Sequence, residues 1–323
     1  MLNLLLALCK QLTLKKEDIA MLALILTSLF FCSFSYGALQ NHLKCAEGKG
    51  NDHKIRNIDF IYMINLDKRP EKYALSKQYL KKYEINPFRF SAIDGQELPI
   101  EVINDVGVKY LPGMTPLLSA TFVEEKGVKI RNQEFMKEYG KTYFCPNMNL
   151  GSIGCALSHV SVLQDAYDSN YETIWVMEDD IEVLGDPHRL SDLIDEIDNL
   201  VGADHWDVLF TDQRMPHCGL PKRPDLDYNY PKNLNDKCTT ATKINNHFHK
   251  MKPCFGCVSM IIRRSGIIKL LDFVKTHNFY LHYDGDIYLP LGIQYYGLNF
   301  DLVTTDIANS LSDINLEKFT KQP

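Results

Sequence analysis

IDFIYMINL, residues Ile58 to Leu66, is a nine-residue run built almost entirely from Ile, Phe, Tyr, Met and Leu. So continuous an apolar stretch suits a strand buried on both faces, as in a parallel sheet, rather than a strand with one wet face. Asp67-Lys68-Arg69-Pro70-Glu71 follows and puts a proline where a helix opens, and Leu75, Tyr79 and Tyr83 recur at i+4 to give that helix an apolar stripe. Phe88 to Ile93 (FRFSAI) reads as a second strand closed by Asp94-Gly95. A β–α–β unit therefore starts the fold, and the predicted class is α/β, an open and mostly parallel sheet flanked by helices.

Downstream the alternation continues. Ile153, Leu157, Val160, Leu163 and Tyr167 predict a helix over about 151–168, TIWVM (173–177) a strand, 190–200 a helix and DVLFT (207–211) a strand. Cys254 to Ile262 reads as a strand, 264–277 as a helix and 300–303 as a late strand. Residues 96–149 carry four prolines and no sustained period, and read as an excursion lining a substrate cleft; the Pro-, Asn- and Asp-rich 213–250 reads as a long polar loop or lid.

Upstream, Ile19 to Phe34 is free of charge and follows Lys15, Lys16, Glu17 and Asp18. Sixteen uncharged residues fall short of the roughly 20 of a spanning helix and slightly exceed the usual 7–15 of a secretory core, so 1–37 reads as a signal peptide or membrane anchor, with a buried core helix as the competing reading. The polar 38–57 reads as a linker and 58–323 as the working domain. Across all 323 residues, 35 Lys+Arg against 41 Asp+Glu leave a net charge of −6, which provides no positive field for a phosphate backbone and argues against nucleic acid as a partner. Nine cysteines are too sparse to compel a disulfide framework. No Asn begins an N-x-Ser/Thr acceptor, which favours a bacterial cell envelope over a eukaryotic secretory lumen.

Four groups of residues carry chemistry. Glu178-Asp179-Asp180 follows TIWVM directly; acids at the carboxyl end of a buried strand face the ligand crevice of an open sheet and repel one another unless a cation such as Mg²⁺ or Mn²⁺ intervenes. A solvated acidic turn is the plainer alternative. Asn65 to Arg69 ends the first strand at a helix start, a place that attracts anions. On the helix over 151–168, Ser152, Cys155 and His159 share a face, whereas Ser158 and His159 diverge, which argues against a Ser–His nucleophile pair. His282-Tyr283-Asp284-Gly285-Asp286 offers a base in either aspartate and a metal ligand in His282. Cys254 and Cys257, three apart on a strand, point to opposite faces and do not make a metal pair.

IYMINLDKRPEK (61–72), FSAIDG (90–95), LGSIGCALSH (150–159), VMEDDIEV (176–183), SMIIRRSG (259–266) and DIYL (286–289), taken in this order, resemble glycosyltransferase family 25, the lipooligosaccharide-type transferases that include the collagen galactosyltransferases. The resemblance implies a nucleotide-sugar-binding fold of the GT-A type and inverting transfer of a hexose, galactose or glucose, from a UDP-sugar to a glycan or glycolipid acceptor. It implies that Asn65, Asp67, Arg69, Asp94, Glu178 and Asp179 bind the donor. It also implies that Asp180 and Asp179 hold the divalent cation, to which the reading of the residues adds His282 as a further ligand, and Asp286, in the Asp-x-x-Leu element, is the expected base. Ser152 stands where the family commonly has an acid, and Lys72 where it has a second arginine. These departures keep an inactive carbohydrate-binding relative in view, and the acids alone also suit a metal-dependent glycoside or phosphoester hydrolase. Association with a membrane would run through 19–34.

Overall fold

The computed structural model describes residues 39–50, 52–213, 222–226, 242–251, 254 and 256–306. The leader, most of the expected lid, and Cys218 and Cys238 lie outside the described residues. In chain order the elements are β1 (Phe60–Asn65), α1 (Pro70–Lys81), β2 (Phe88–Ser91), α2 (Ile100–Val106), β3 (Val108–Lys109), β4 (Leu118–Glu125), β5 (Val128–Phe135), β6 (Thr142–Tyr143), α3 (Leu150–Asp168), β7 (Thr173–Glu178), β8 (Ile181–Val183), α4 (Leu190–Val201), β9 (Val208–Phe210), β10 (Thr242–Lys243), β11 (Phe248–Lys250), β12 (Ser259–Arg263), α5 (Arg264–His277), α6 (Tyr283–Asp286), β13 (Tyr295–Leu298) and β14 (Val303–Thr305).

The central sheet has the order β10-β11-β13-β9-β12-β7-β1-β2. β1 pairs in parallel with both β2 and β7, and β9 with β13, while β12 and β11 run against their neighbours; six of the eight strands thus point the same way. β1 is buried at all six positions because each face has its own core. Phe60, Tyr62 and Ile64 join Ile174 and Val176 of β7 beneath α3 and α5, and Ile61 and Met63 join Trp175 and Met177 beneath α4. Among the described residues, no helix is long and apolar enough to cross a membrane.

Four expectations are corrected. Residues 39–50 and 52–57 are a packed strap rather than a linker: Leu39 is fully buried, the Lys44 amide donates to Ser161 Oγ at 3.0 Å, and Arg56 pairs with Asp192 and Asp195 on α4. The excursion 96–149 contains α2 and the eight-residue hairpin pair β4–β5, turning at Lys126-Gly127, both with positive φ; Lys-Gly supplies the hairpin geometry less obviously than Asn-Gly would. Residues 242–250 of the expected lid form edge strands of the main sheet. The stripe on α1 is also displaced, since Leu75 is exposed and the buried positions are Lys72, Ser76 and Leu80. The buried flank is mainly polar because it faces the acidic turn after β7.

Candidate active site

β1 and β7 are neighbours in parallel register, so their carboxyl ends bring Asn65 and Glu178-Asp179-Asp180 together. Asn65 is buried and organises the turn: its Nδ2 donates to Asp179 Oδ2 at 2.6 Å and to the Arg69 carbonyl at 2.8 Å, and its Oδ1 accepts from Arg89 Nε. Ser76 Oγ donates to the Asp179 carbonyl, and the Asp306 amide to the Asp180 carbonyl. The acidic turn is therefore held in place from three sides and is not a solvated loop.

A cleft of about 950 Å³ opens on this turn, lined by Glu178, Asp179, Asp180, Lys68, Lys72, Asp94 and the face of α3 that carries Cys155 and His159. Two glycines let α3 close against its floor. A Cβ on Gly95 would lie 1.7 Å from the Leu150 carbonyl oxygen, and one on Gly154 would lie 2.5 Å from the Gly95 nitrogen and the Ile93 oxygen. The Asn149 side chain caps the helix through the Ser152 amide at 2.8 Å.

Burial pushes the Asp179 carboxyl up, with Asn65 pulling the other way, and burial with Glu178 and Asp179 as neighbours pushes Asp180 up to about 7. Asp180 Oδ1 is buried and accepts no hydrogen bond among the described residues. An oxygen left without a donor, beside carboxylates that repel it, is the environment a hard divalent cation relieves, so this pair fits Mg²⁺ or Mn²⁺. Lys72, also in the wall, supplies positive charge that opposes the rise at Asp180.

A second cavity, about 980 Å³, meets the first at Cys155 and Glu178 and is lined further by Cys145, Asn147, Ser152, Gly256, His282, Tyr283 and Asp284. Glu178 Oε1 lies 3.0 Å from His159 Nε2, and the His159 ring stacks on Tyr283 at 4.3 Å. Ser152 Oγ, His282 Nε2 and Tyr283 OH are buried without hydrogen-bond partners among the described residues, and burial holds the His282 imidazole below its ordinary pKa.

The motifs assembled here keep their order in the chain, and residues 58–287 match the family model described as Glycosyltransferase family 25 (LPS biosynthesis protein). The chain belongs to glycosyltransferase family 25. It is similar to a "Glycosyltransferase 25 family member" of Aedes aegypti, 28% identical over 156 residues that cover 47% of this chain and 21% of the relative. It is also similar to "Procollagen galactosyltransferase 2" of Homo sapiens, 25% identical over 182 residues, 54% and 25% of the two chains, and to "Inactive glycosyltransferase 25 family member 3" of Mus musculus, 24% identical over 159 residues, 49% and 22%. The chain thus spans about a quarter of the length of these curated relatives.

For this family 25 chain, the expected donor residues divide. Glu178, Asp179 and Asp94 line the first cleft, where Asp94 is paired with Lys68. Asn65 lies beneath Asp179 as a support. Asp67 turns outward to Ser91 and Arg89, which hold its carboxyl below its ordinary pKa, and Arg69 is bonded to Glu71. Two expected roles do not fit the placement. His282 lines the second cavity and not the cleft of Asp179 and Asp180, so it does not complete their ligand set. Asp286 is 1% exposed: its Oδ1 accepts from Arg223 at 2.7 Å and its Oδ2 from the amides of Tyr280 and Leu281. A carboxylate enclosed in this way stabilises the turn before α6 and has no free face for a substrate proton. Arg223 itself was not foreseen, because an arginine in a Pro-rich polar segment carries no sequence sign of burial.

Proposed function

We propose that the chain transfers a hexose, galactose or glucose, from a UDP-sugar to a hydroxyl of a glycan or glycolipid at the cell envelope, with inversion. The observation that carries this reading is the shared wall at Glu178: one cleft combines an acidic pair, in which Asp180 Oδ1 has no partner among the described residues, with Lys68 and Lys72, and the adjoining cavity presents Asp284 and buried polar atoms without partners. The first set suits a diphosphate and its cation. The second suits a polyhydroxylated acceptor, which would satisfy Ser152, His282 and Tyr283. Asp179 and Asp180 would hold Mn²⁺ or Mg²⁺, which when bound offsets the charge gathering on a departing diphosphate. Lys72 and Lys68 add positive charge to the same end of the cleft. Asp284, whose Oδ2 accepts the Gly256 amide at 2.7 Å, takes the acceptor's proton in place of the enclosed Asp286.

A panel of UDP-, GDP- and CMP-sugars with and without Mn²⁺ tests the donor site by thermal shift. A UDP-sugar shift that needs Mn²⁺ and vanishes in Asp180→Ala is expected; no metal-dependent shift with any nucleotide sinks the assignment. For the base, Asp284→Asn is expected to lower kcat by about 10²–10⁴ with the Tm little changed. Asp286→Asn should instead lower the Tm, since Arg223 loses one of its two buried carboxylate partners and keeps only Asp225. The inactive reading draws on the mouse relative and on Ser152; turnover of any donor onto an added acceptor removes it, while release of sugar to water alone would favour a hydrolase.

A further inference from the structure

Cys155 and His159 are one helical turn apart on α3, and Glu178 ends β7 opposite them. The Cys155 Sγ, a His159 ring nitrogen and a Glu178 carboxylate oxygen all lie within 4.8 Å of one another, and among the described residues this is the one group of three or more Cys, His, Asp or Glu side chains so gathered. The three differ in kind from the oxygen donors of Asp179 and Asp180. A thiolate and an imidazole select a borderline ion such as zinc, whereas carboxylates alone suit Mg²⁺ or Mn²⁺.

We propose that Cys155, His159 and Glu178 form a zinc-class cation site, separate from the Asp179–Asp180 pair, with its fourth position open at the junction of the two cavities. Ligand atoms on tetrahedral zinc stand roughly 3.3–3.6 Å apart for bonds of about 2.0–2.3 Å, so closing the group from 4.8 Å takes about an ångström of side-chain rotation. His159 is already oriented: Tyr283 stacks on its ring, and its Nε2 faces Glu178. On binding, the Cys155 thiol releases its proton to solvent, the proton shared between His159 Nε2 and Glu178 also leaves to solvent while the imidazole keeps its Nδ1–H, and the freed Nε2 lone pair and the Glu178 oxygen become the second and third ligands. Without the ion, burial and the nearby carboxylates of Glu178, Asp284, Asp180 and Asp179 keep the thiol protonated. The same negative surroundings attract a cation, so affinity rises with pH as the proton becomes easier to displace. The site stands on its own geometry, whatever sugar or nucleotide the clefts take.

Cobalt(II) titration of the full chain tests the site, since a thiolate ligand gives a sulfur-to-cobalt charge-transfer band that carboxylates and imidazoles cannot give. One equivalent of cobalt should raise the band, zinc should bleach it, and Asp180→Ala should leave it in place. Cys155→Ser should abolish it, and His159→Gln or Glu178→Gln should weaken cobalt binding about tenfold or more. Absence of the band in the natural chain, or its survival in folded Cys155→Ser, overturns the proposal. X-ray absorption on the zinc-loaded natural chain gives a check free of any folding defect: one sulfur with nitrogen and oxygen neighbours supports the site, and a shell with no sulfur or with two overturns it.

Discussion

Asp180 shows how one side chain couples the folding of this protein to pH. Its carboxyl, at about 7 in the folded protein against about 3.9 in an unfolded chain, binds a proton more tightly when folded, so between pH 4 and 7 this group's contribution to stability falls as pH rises. The metal-free protein should therefore lose Tm across that window, and Asp180→Asn should flatten the loss. The gain in Tm on adding Mn²⁺ should grow from pH 6 to pH 8, because a proton no longer has to leave; a gain independent of pH would mean the ion binds elsewhere. The position of the three acids at the carboxyl end of a buried strand was legible in the sequence, but only the bonds from Asn65, Ser76 and the Asp306 amide set them apart from a solvated turn. The enclosure of Asp286 is not legible in the sequence, because a motif position says nothing about a neighbour 63 residues away: only the fold brings Arg223 to it.

At the scale of elements, the long periodic segments emerged almost as expected. α5 spans 264–277 in both readings, and α3 and α4 differ by a residue at an end, because a sustained apolar period over three turns has one stable solution. The β4–β5 hairpin was missed: β4 is buried at Ser119, Ala120, Thr121 and Phe122 in succession, without the alternation that marks a half-exposed strand. The contact between α3 and the end of β2 is the most constrained in the site. Gly154→Ala should force the helix away from Gly95 and Ile93, costing about 1–3 kcal/mol or more and weakening donor binding as the cleft floor shifts. Thermal melts and nucleotide titration would measure both losses, and an unchanged Tm would show that the helix can yield.

Over the whole molecule, the strap 39–57 ties both faces of the sheet together, since Leu39 enters the core beneath α3 and Arg56 grips α4. A chain beginning at residue 58 should melt below one beginning at 38, and Leu39→Ala alone should cost about 2–5 kcal/mol by denaturant unfolding. Polar composition hid this role, because Gly48, Gly50 and their neighbours give no periodic signal even where single apolar residues anchor them. The sharing of Cys155 and Glu178 between two cavities has a consequence beyond either one. Two compartments with common wall residues are not independent binding sites: occupancy of one alters the free energy of filling the other, and thermodynamic reciprocity makes the effect equal in both directions.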